Sequence, residues 1–247
     1  MIPAATVVIF RNSKAGGPPE LLMVQRAKAM RFAGGAAVFP GGKVDPADHE
    51  LAQALAPNAD PDLTAARIAG IRETLEETGL AIGLSRQVTV PEAIAARALL
   101  LEEGALAPVL EKFGWTLVLD SLVPFARWCP NWDKAFDTRF FLFNLGTGAV
   151  DVVVDATENS RLFWSSAAET LRRADADDIH VIFPTRRNLE RLAQFSSFEE
   201  ARAHADAIPV QTICPSQQER DGEMWLTIPE GFGYPITAQP MANVKRG

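Results

Sequence analysis

Cysteine is almost absent from this chain. Its 247 residues include only Cys129 and Cys214, in no CxxC spacing, which argues against a disulfide framework or a zinc site. His49, His180 and His204 are scattered and offer no ligand spacing. No apolar run approaches the ~20 residues that span a bilayer, so a membrane protein is not expected. A charged leader is also missing: Met1–Val8 runs straight into a strand pattern and does not read as a signal peptide. The final Val244-Lys245-Arg246-Gly247 is not a Ser-Lys-Leu peroxisomal address, and a cytoplasmic location is the expectation. Positive charge is in deficit, 24 Lys and Arg against 31 Asp and Glu, and a net charge of −7 argues against a nucleic-acid-wrapping surface. A phosphorylated small molecule stays compatible with that charge, because a bound divalent cation inverts the local sign.

Hydrophobic residues make up 47% of the chain, enough to bury a sizeable core. No linker-like composition break and no internal repeat appears, so residues 1–247 read as a single domain. Thr6–Arg11 and Leu21–Gln25 read as a hairpin around Gly16-Gly17-Pro18-Pro19, and Ala36–Phe39 as a short third strand. Leu63–Thr78 reads as a helix stopped by Gly79. Pro91–Phe113 reads as two short helices broken near Gly104 and Pro108. Strands are expected at Phe125–Trp128, Thr138–Asn144, Val150–Val154 and Arg161–Trp164. Helices are expected at Ala167–Arg173, Arg186–Phe195 and Phe198–Ala207, with strand character in Pro209–Pro215 and Met224–Ile228. This mixed order suggests an α+β sandwich.

The most informative stretch is Ile71-Arg72-Glu73-Thr74-Leu75-Glu76-Glu77-Thr78-Gly79-Leu80. Glu73, Glu76 and Glu77 stand at i, i+3 and i+4 and project from one helical face, while Ile68, Ile71 and Leu75 form the opposite, buried stripe. Like charges at those spacings cost an isolated helix roughly 0.2–0.5 kcal/mol per pair. A cation would offset that repulsion, and all-oxygen donors suit Mg²⁺ or Mn²⁺ better than zinc.

This stretch resembles the second half of the Nudix box, G-x5-E-x7-R-E-U-x-E-E-x-G-U with U aliphatic. Arg72, Glu73, Glu76, Glu77, Gly79 and Leu80 match, and Thr74 departs at an aliphatic position. The first half appears as Phe39-Pro40-Gly41-Gly42-Lys43-Val44-Asp45, but the halves are separated by an insertion of 16 residues, placed near Pro46–Pro61 and expected to be a short helix followed by loop. Counted forward from Gly42, the first box glutamate falls on Asp48; counted back from Arg72, it falls on Thr64. Thr64 near the helix start reads as a cap, and the intervening insertion makes Asp48 the less favoured substitute.

Such a split box resembles one Nudix subgroup, that of the peroxisomal coenzyme A diphosphatase type. Leu122–Trp128, Phe136–Phe141, Phe183-Pro184-Thr185 with Leu189-Glu190-Arg191-Leu192, and Gly231-Phe232-Gly233-Tyr234-Pro235 are similar as well. The resemblance implies a mixed sheet between helices, an α/β/α sandwich, with the acidic helix beside the Gly-Gly loop. Helical additions near 85–120 and 175–210 are then expected, packed together as a cap. It also implies hydrolysis of a diphosphate in a nucleoside diphosphate derivative such as coenzyme A or acyl-coenzyme A. ADP-ribose or NADH pyrophosphatase activity and a non-catalytic nucleotide-binding module are the alternatives.

In the implied site Arg72, Glu73, Glu76 and Glu77 are catalytic, and Glu73, Glu76, Glu77 and the Gly41 carbonyl hold Mg²⁺ or Mn²⁺. Glycine is apt at the loop, because a Cβ there would obstruct the turn. Arg72 is expected to orient a glutamate. Arg26, Arg31, Arg139 and Glu158 are candidates for substrate contact, with a solvated surface or loop as the plain alternative. Asp137 and Arg139 alternate onto one strand face, where an Asp–Arg pair is the first expectation and phosphate contact from Arg139 the second. Trp128 reads as core rather than as an adenine platform with Trp132. The implied partner is a small-molecule nucleotide, with no nucleic acid and no membrane; oligomeric state stays open.

Overall fold

The computed structural model describes residues 1–13, 16–29, 33–146 and 159–244. The expected strand at Val150–Val154 lies outside the described residues. β1 (Ile2–Arg11) is the spine of a mixed sheet. On one edge it pairs antiparallel with β2 (Glu20–Arg26) and β4 (Gly41–Lys43), with Thr6 opposite Gly41. On the other it runs parallel to β6 (Phe136–Asn144), from Ile2 opposite Phe136 to Phe10 opposite Asn144. β3 (Ala37–Val38) and β7 (Asn159–Ser165) flank β2, and β5 (Val123–Trp128) and β8 (Thr212–Ile213) extend the sheet beyond β6. A second, antiparallel sheet is formed by β9 (Ser216–Arg220), β10 (Glu223–Thr227) and β11 (Ala238–Pro240).

Alternation along β1 divides the core in two. Ala5, Val7 and Ile9 face the helical layer of α1 (Pro46–Leu55), α2 (Pro61–Thr78), α3 (Val90–Glu103) and α4 (Leu106–Phe113), where Ile68, Ile71, Leu75, Leu100 and Val109 are buried. Val8 and Phe10 face the other side, which α6 (Phe183–Leu192) and α7 (Phe198–Ala207) cover through Phe183, Leu189 and Ala201. Between β7 and α6, α5 (Ala167–Asp175) buries Ala167 and Ala174 in that second core. The fold is therefore the expected α/β/α sandwich, but the two helical additions lie on opposite faces of the sheet and do not form one cap. The reason is the parity of β1, which supplies an apolar surface on each side.

α2 begins at Pro61, with Asp60 rather than Thr64 as its cap: the Asp60 side chain accepts from the Leu63 amide at 2.9 Å. Thr64 instead donates its hydroxyl to the Asp60 carbonyl. The helix ends at Gly79, whose φ of 72° is the left-handed stop expected of glycine. Pro108 does not break a helix; it sits in the first turn of α4, where a missing N–H costs nothing, and the break is at Gly104.

On the far face, Trp128, Asn188, Arg191 and Tyr234 form a buried clasp. Trp128 Nε1 donates to the Tyr234 hydroxyl at 3.0 Å, which in turn donates to Asn188 at 2.7 Å. The Arg191 guanidinium lies 4.0 Å from the Phe125 ring centroid and donates to the Phe125 carbonyl. Trp128 is thus core, as its sequence context suggests, whereas Trp132 is exposed. The clasp joins the Leu122–Trp128, Leu189–Leu192 and Gly231–Pro235 motifs into one packed unit.

Candidate active site and metal centre

Arg72 is the hub of the site. It is buried on α2, and its five N–H donors are matched to acceptors from three segments. Nε and Nη2 donate to the Asp48 carboxylate at 3.1 and 3.0 Å, and Nη2 also reaches the Lys43 carbonyl at 2.8 Å. Nη1 donates to Glu73 at 3.1 Å and to Glu76 at 3.2 Å. Burial works against the charged guanidinium, but Asp48, Glu73 and Glu76 more than offset it, and its pKa is raised. Arg72 Nη1 therefore holds two of the three glutamates, Glu73 and Glu76.

Asp48 is the residue that its sequence context undervalues. It is 1% exposed, and it also accepts from the Asp45 amide at 2.9 Å, closing the first turn of α1. The forward count from Gly42 marks this position, but the insertion that follows makes the match look accidental. In space Asp48 meets Arg72, while Thr64 turns to its own helix backbone. Thr74 also proves harmless, since its buried hydroxyl donates to the Gly70 carbonyl at 2.7 Å.

The Gly-Gly loop closes the other side. The Gly41 amide donates to Glu77 Oε2 at 3.0 Å and so fixes that carboxylate. Gly41 has a φ of 152°, and a Cβ there would stand 2.2 Å from the Ala5 carbonyl oxygen. A Cβ on Gly42 would stand 2.2 Å from Glu73 Oε1. Both glycines are required for β4 to lie against β1 while Glu73 lies against β4.

Three carboxylates thus share one helical face, two held by Arg72 and one by the Gly41 amide. Among the described residues no group of three His, Cys, Asp or Glu side chains is placed so that it could hold a metal ion as it stands. Burial pushes the Glu73 carboxyl up to about 8, with Arg72 opposing and the Glu76 and Glu77 charges adding. Burial raises Glu76 as well. Glu73 and Glu76, which resist ionisation on their own, are oxygen donors of the kind a hard divalent cation takes, and such a cation would favour their ionised form.

The outlying candidates are not gathered here. Arg26 ends β2 at a bulge, with Nε buried and without a hydrogen-bond partner among the described residues. Asp137 pairs with Arg127, not Arg139: cross-strand register sets Arg127 opposite Arg139, and the Arg127 fork takes the carboxylate at 2.8 and 2.5 Å. Arg139 lines a separate cleft of about 270 Å³ with Arg127, Leu63 and Thr212. Leu63 is at the opening of α2, ~15 Å of helix from Glu73. Glu158 and Arg31 lie outside the described residues.

An acidic-faced helix wedged between a mixed sheet and a glycine loop is the arrangement that the sequence resemblance implies. No family model matches the chain. A curated relative, "Putative nudix hydrolase 7" of Caenorhabditis elegans, is 24% identical over 213 residues, which cover 84% of this chain and 66% of that protein. The chain spans just under two thirds of that relative's length. The crystal structure of a NUDIX hydrolase from Alicyclobacillus acidocaldarius superposes with a TM-score of 0.71 at 28% identity, over 82% of this chain and 96% of that one. The chain is thus similar in sequence to Nudix hydrolases and shares their fold. No described helix is long and apolar enough to cross a membrane.

Proposed function

We propose that this chain hydrolyses the diphosphate linkage of a nucleoside diphosphate derivative, with Mg²⁺ or Mn²⁺ held by Glu73, Glu76 and Glu77 and the Gly41 carbonyl. The observation that carries this reading is the Arg72 hub: a buried guanidinium gathers Glu73 and Glu76 beside a loop that fixes Glu77. Water adds across the P–O–P bridge, one phosphoryl group takes the hydroxyl, and the other leaves as a phosphate. When bound, the cation neutralises the bridge and acidifies water. Glu77, fixed by the Gly41 amide, supplies the constant carboxylate. Of Glu73 and Glu76, one would hold the cation while the other, released from Arg72, would orient the attacking water and accept the water's proton. Arg26, whose buried Nε has no hydrogen-bond partner among the described residues, is the arginine we assign to a substrate phosphate oxygen.

Coenzyme A or an acyl-coenzyme A is the substrate we favour, giving a 4′-phosphopantetheine product and adenosine 3′,5′-bisphosphate. This rests on the split box and on the subgroup motifs, which meet in the Trp128–Tyr234–Asn188 clasp. The test is a competition among coenzyme A, ADP-ribose, NADH and a dinucleoside polyphosphate with Mg²⁺ or Mn²⁺, followed by mass spectrometry. Selective release of adenosine 3′,5′-bisphosphate supports the reading. Cleavage of another member removes the coenzyme A assignment, and equal turnover by Glu77→Gln removes the metal assignment. A cytoplasmic setting is part of this proposal and is read by fractionation.

A further inference from the structure

The outward face of α3 has no partner within the described chain. Val90, Pro91, Ile94, Ala95, Ala98 and Leu101 are all exposed, and at ~100° per residue they fall on one side of the helix. Glu102 is the only polar residue among them. The inner face is committed elsewhere: Ala96 and Leu100 are buried in the α2 core, and Arg97 Nε donates to the Glu76 carbonyl at 2.7 Å. Leaving this much apolar surface in water is unfavourable unless something covers it.

We propose that this face docks on the same face of a second copy of the chain, the two α3 helices antiparallel about a two-fold axis. An isologous contact needs a surface complementary to itself. Antiparallel pairing sets Ile94 against Ala98 and Leu101 against Pro91 of the partner copy, large against small. The end charges select the same direction. Glu102 and Glu103 close one end of α3, and the other end is the positive helix N-terminus, beside which Arg86 and Glu92 pair with each other. Antiparallel pairing brings each pair of glutamates to the partner's N-terminus; parallel pairing would stack the glutamates. The same glutamates, with a net charge of −7, disfavour an anionic membrane as the occupant.

Val90 is 47% exposed, and Ile94 and Leu101 are each 57% exposed. With the three smaller residues the face offers about 500 Å² per copy, so about 1,000 Å² in the pair, the lower end for a specific interface. An interface of that size belongs with weak, transient pairs, so association is expected only at micromolar or higher concentration.

Sedimentation equilibrium of the full chain from about 1 to 300 μM tests this, with a mass rising from 26.8 kDa toward twice that value as the expected result. Ile94→Glu should weaken the dimer at least about tenfold with an unchanged melting temperature, because the side chain is exposed in the monomer. Ala98→Glu serves as a second, independent disruption, and Glu102→Arg should weaken association through its end charge. A constant monomer mass to the top concentration overturns the proposal. So does a dimer indifferent to both glutamate substitutions, or a monomer that binds phosphatidylcholine vesicles through Ile94.

Discussion

Removing the Asp48 carboxylate should destabilise the protein far more than removing the Thr64 hydroxyl. Both Asp48 and Arg72 are buried, at 2% and 4% side-chain exposure. Asp48→Ala deletes the paired carboxylate from Nε and Nη2 of Arg72 and leaves that charge short of acceptors, a loss of about 3–5 kcal/mol. The Asp45 amide also loses its acceptor, which adds about 1 kcal/mol. Arg72 keeps the Lys43 carbonyl, Glu73 and Glu76, so a value toward the lower end is expected. Thr64→Ala removes one hydroxyl bond to a helix carbonyl and should cost about 1 kcal/mol or less. Urea unfolding followed by far-ultraviolet circular dichroism, without divalent metal, compares the two. An Asp48→Ala loss below about 1 kcal/mol, or a Thr64→Ala loss equal to it, would refute the assignment of Asp48 as the partner of Arg72. A double-mutant cycle with Arg72→Met isolates the pair, and an absent coupling would refute it independently.

Glu77→Gln should lower kcat at least about 100-fold while circular dichroism stays unchanged; wild-type kcat would count against Glu77 as a ligand. Gly42→Ala places a Cβ into the Glu73 carboxylate, so turnover should fall sharply, and full activity would show that Glu73 need not lie against β4. Stability of the metal-free protein should decline as pH rises through about 8, the pKa to which burial pushes Glu73. The sign follows from proton uptake: the folded state binds the Glu73 proton more tightly than the unfolded chain, so that contribution is complete below the usual carboxylate range and is lost as pH rises through the folded value. Thermal melts between pH 5 and 9 with chelator should show this decline, Mg²⁺ should flatten it, and a slope unaltered in Glu73→Gln would exclude Glu73 as its source. Gly70→Val should destabilise by roughly 1–3 kcal/mol, since even a Cβ at Gly70 would lie 2.9 Å from Val7 Cγ2; a neutral effect in urea unfolding would show that α2 can lift from β1.

Residues whose chemistry is local are legible in the sequence. The i, i+3, i+4 glutamates, the buried Ile68–Ile71–Leu75 stripe and the Gly79 stop each depend on one helix, and the helix forms as its spacing requires. The hairpin and the third strand follow from Gly and Pro punctuation for the same reason. Residues whose role depends on long-range placement are not legible. Asp137 lies two residues from Arg139 in sequence, yet its partner is Arg127, which stands diagonal to it on the neighbouring strand, and only the strand pairing brings the two together. The alternation of β1 side chains, which offers an apolar surface on each side of the sheet, lets the two helical additions pack on opposite faces.

The split box is best understood through Arg72. Asp48 lies near the start of the inserted stretch and Arg72 beyond its end, yet the two meet in a buried ion pair. The inserted stretch therefore leaves Asp48 and Arg72 together: it forms α1 through Leu55 and returns at Asp60 and Pro61 to start α2. Loop closure makes such an excursion inexpensive, since each doubling of length costs only about 0.6 kcal/mol. What cannot be lengthened is the fixed unit of Gly41, Gly42 and Asp48 against Arg72, Glu73 and Glu77. Shortening the loop at 56–59, which touches neither half, should then preserve turnover so long as α1 still delivers Asp48. Loss of activity in a folded deletion variant with the Asp48–Arg72 coupling intact would show that the insertion itself takes part in substrate binding.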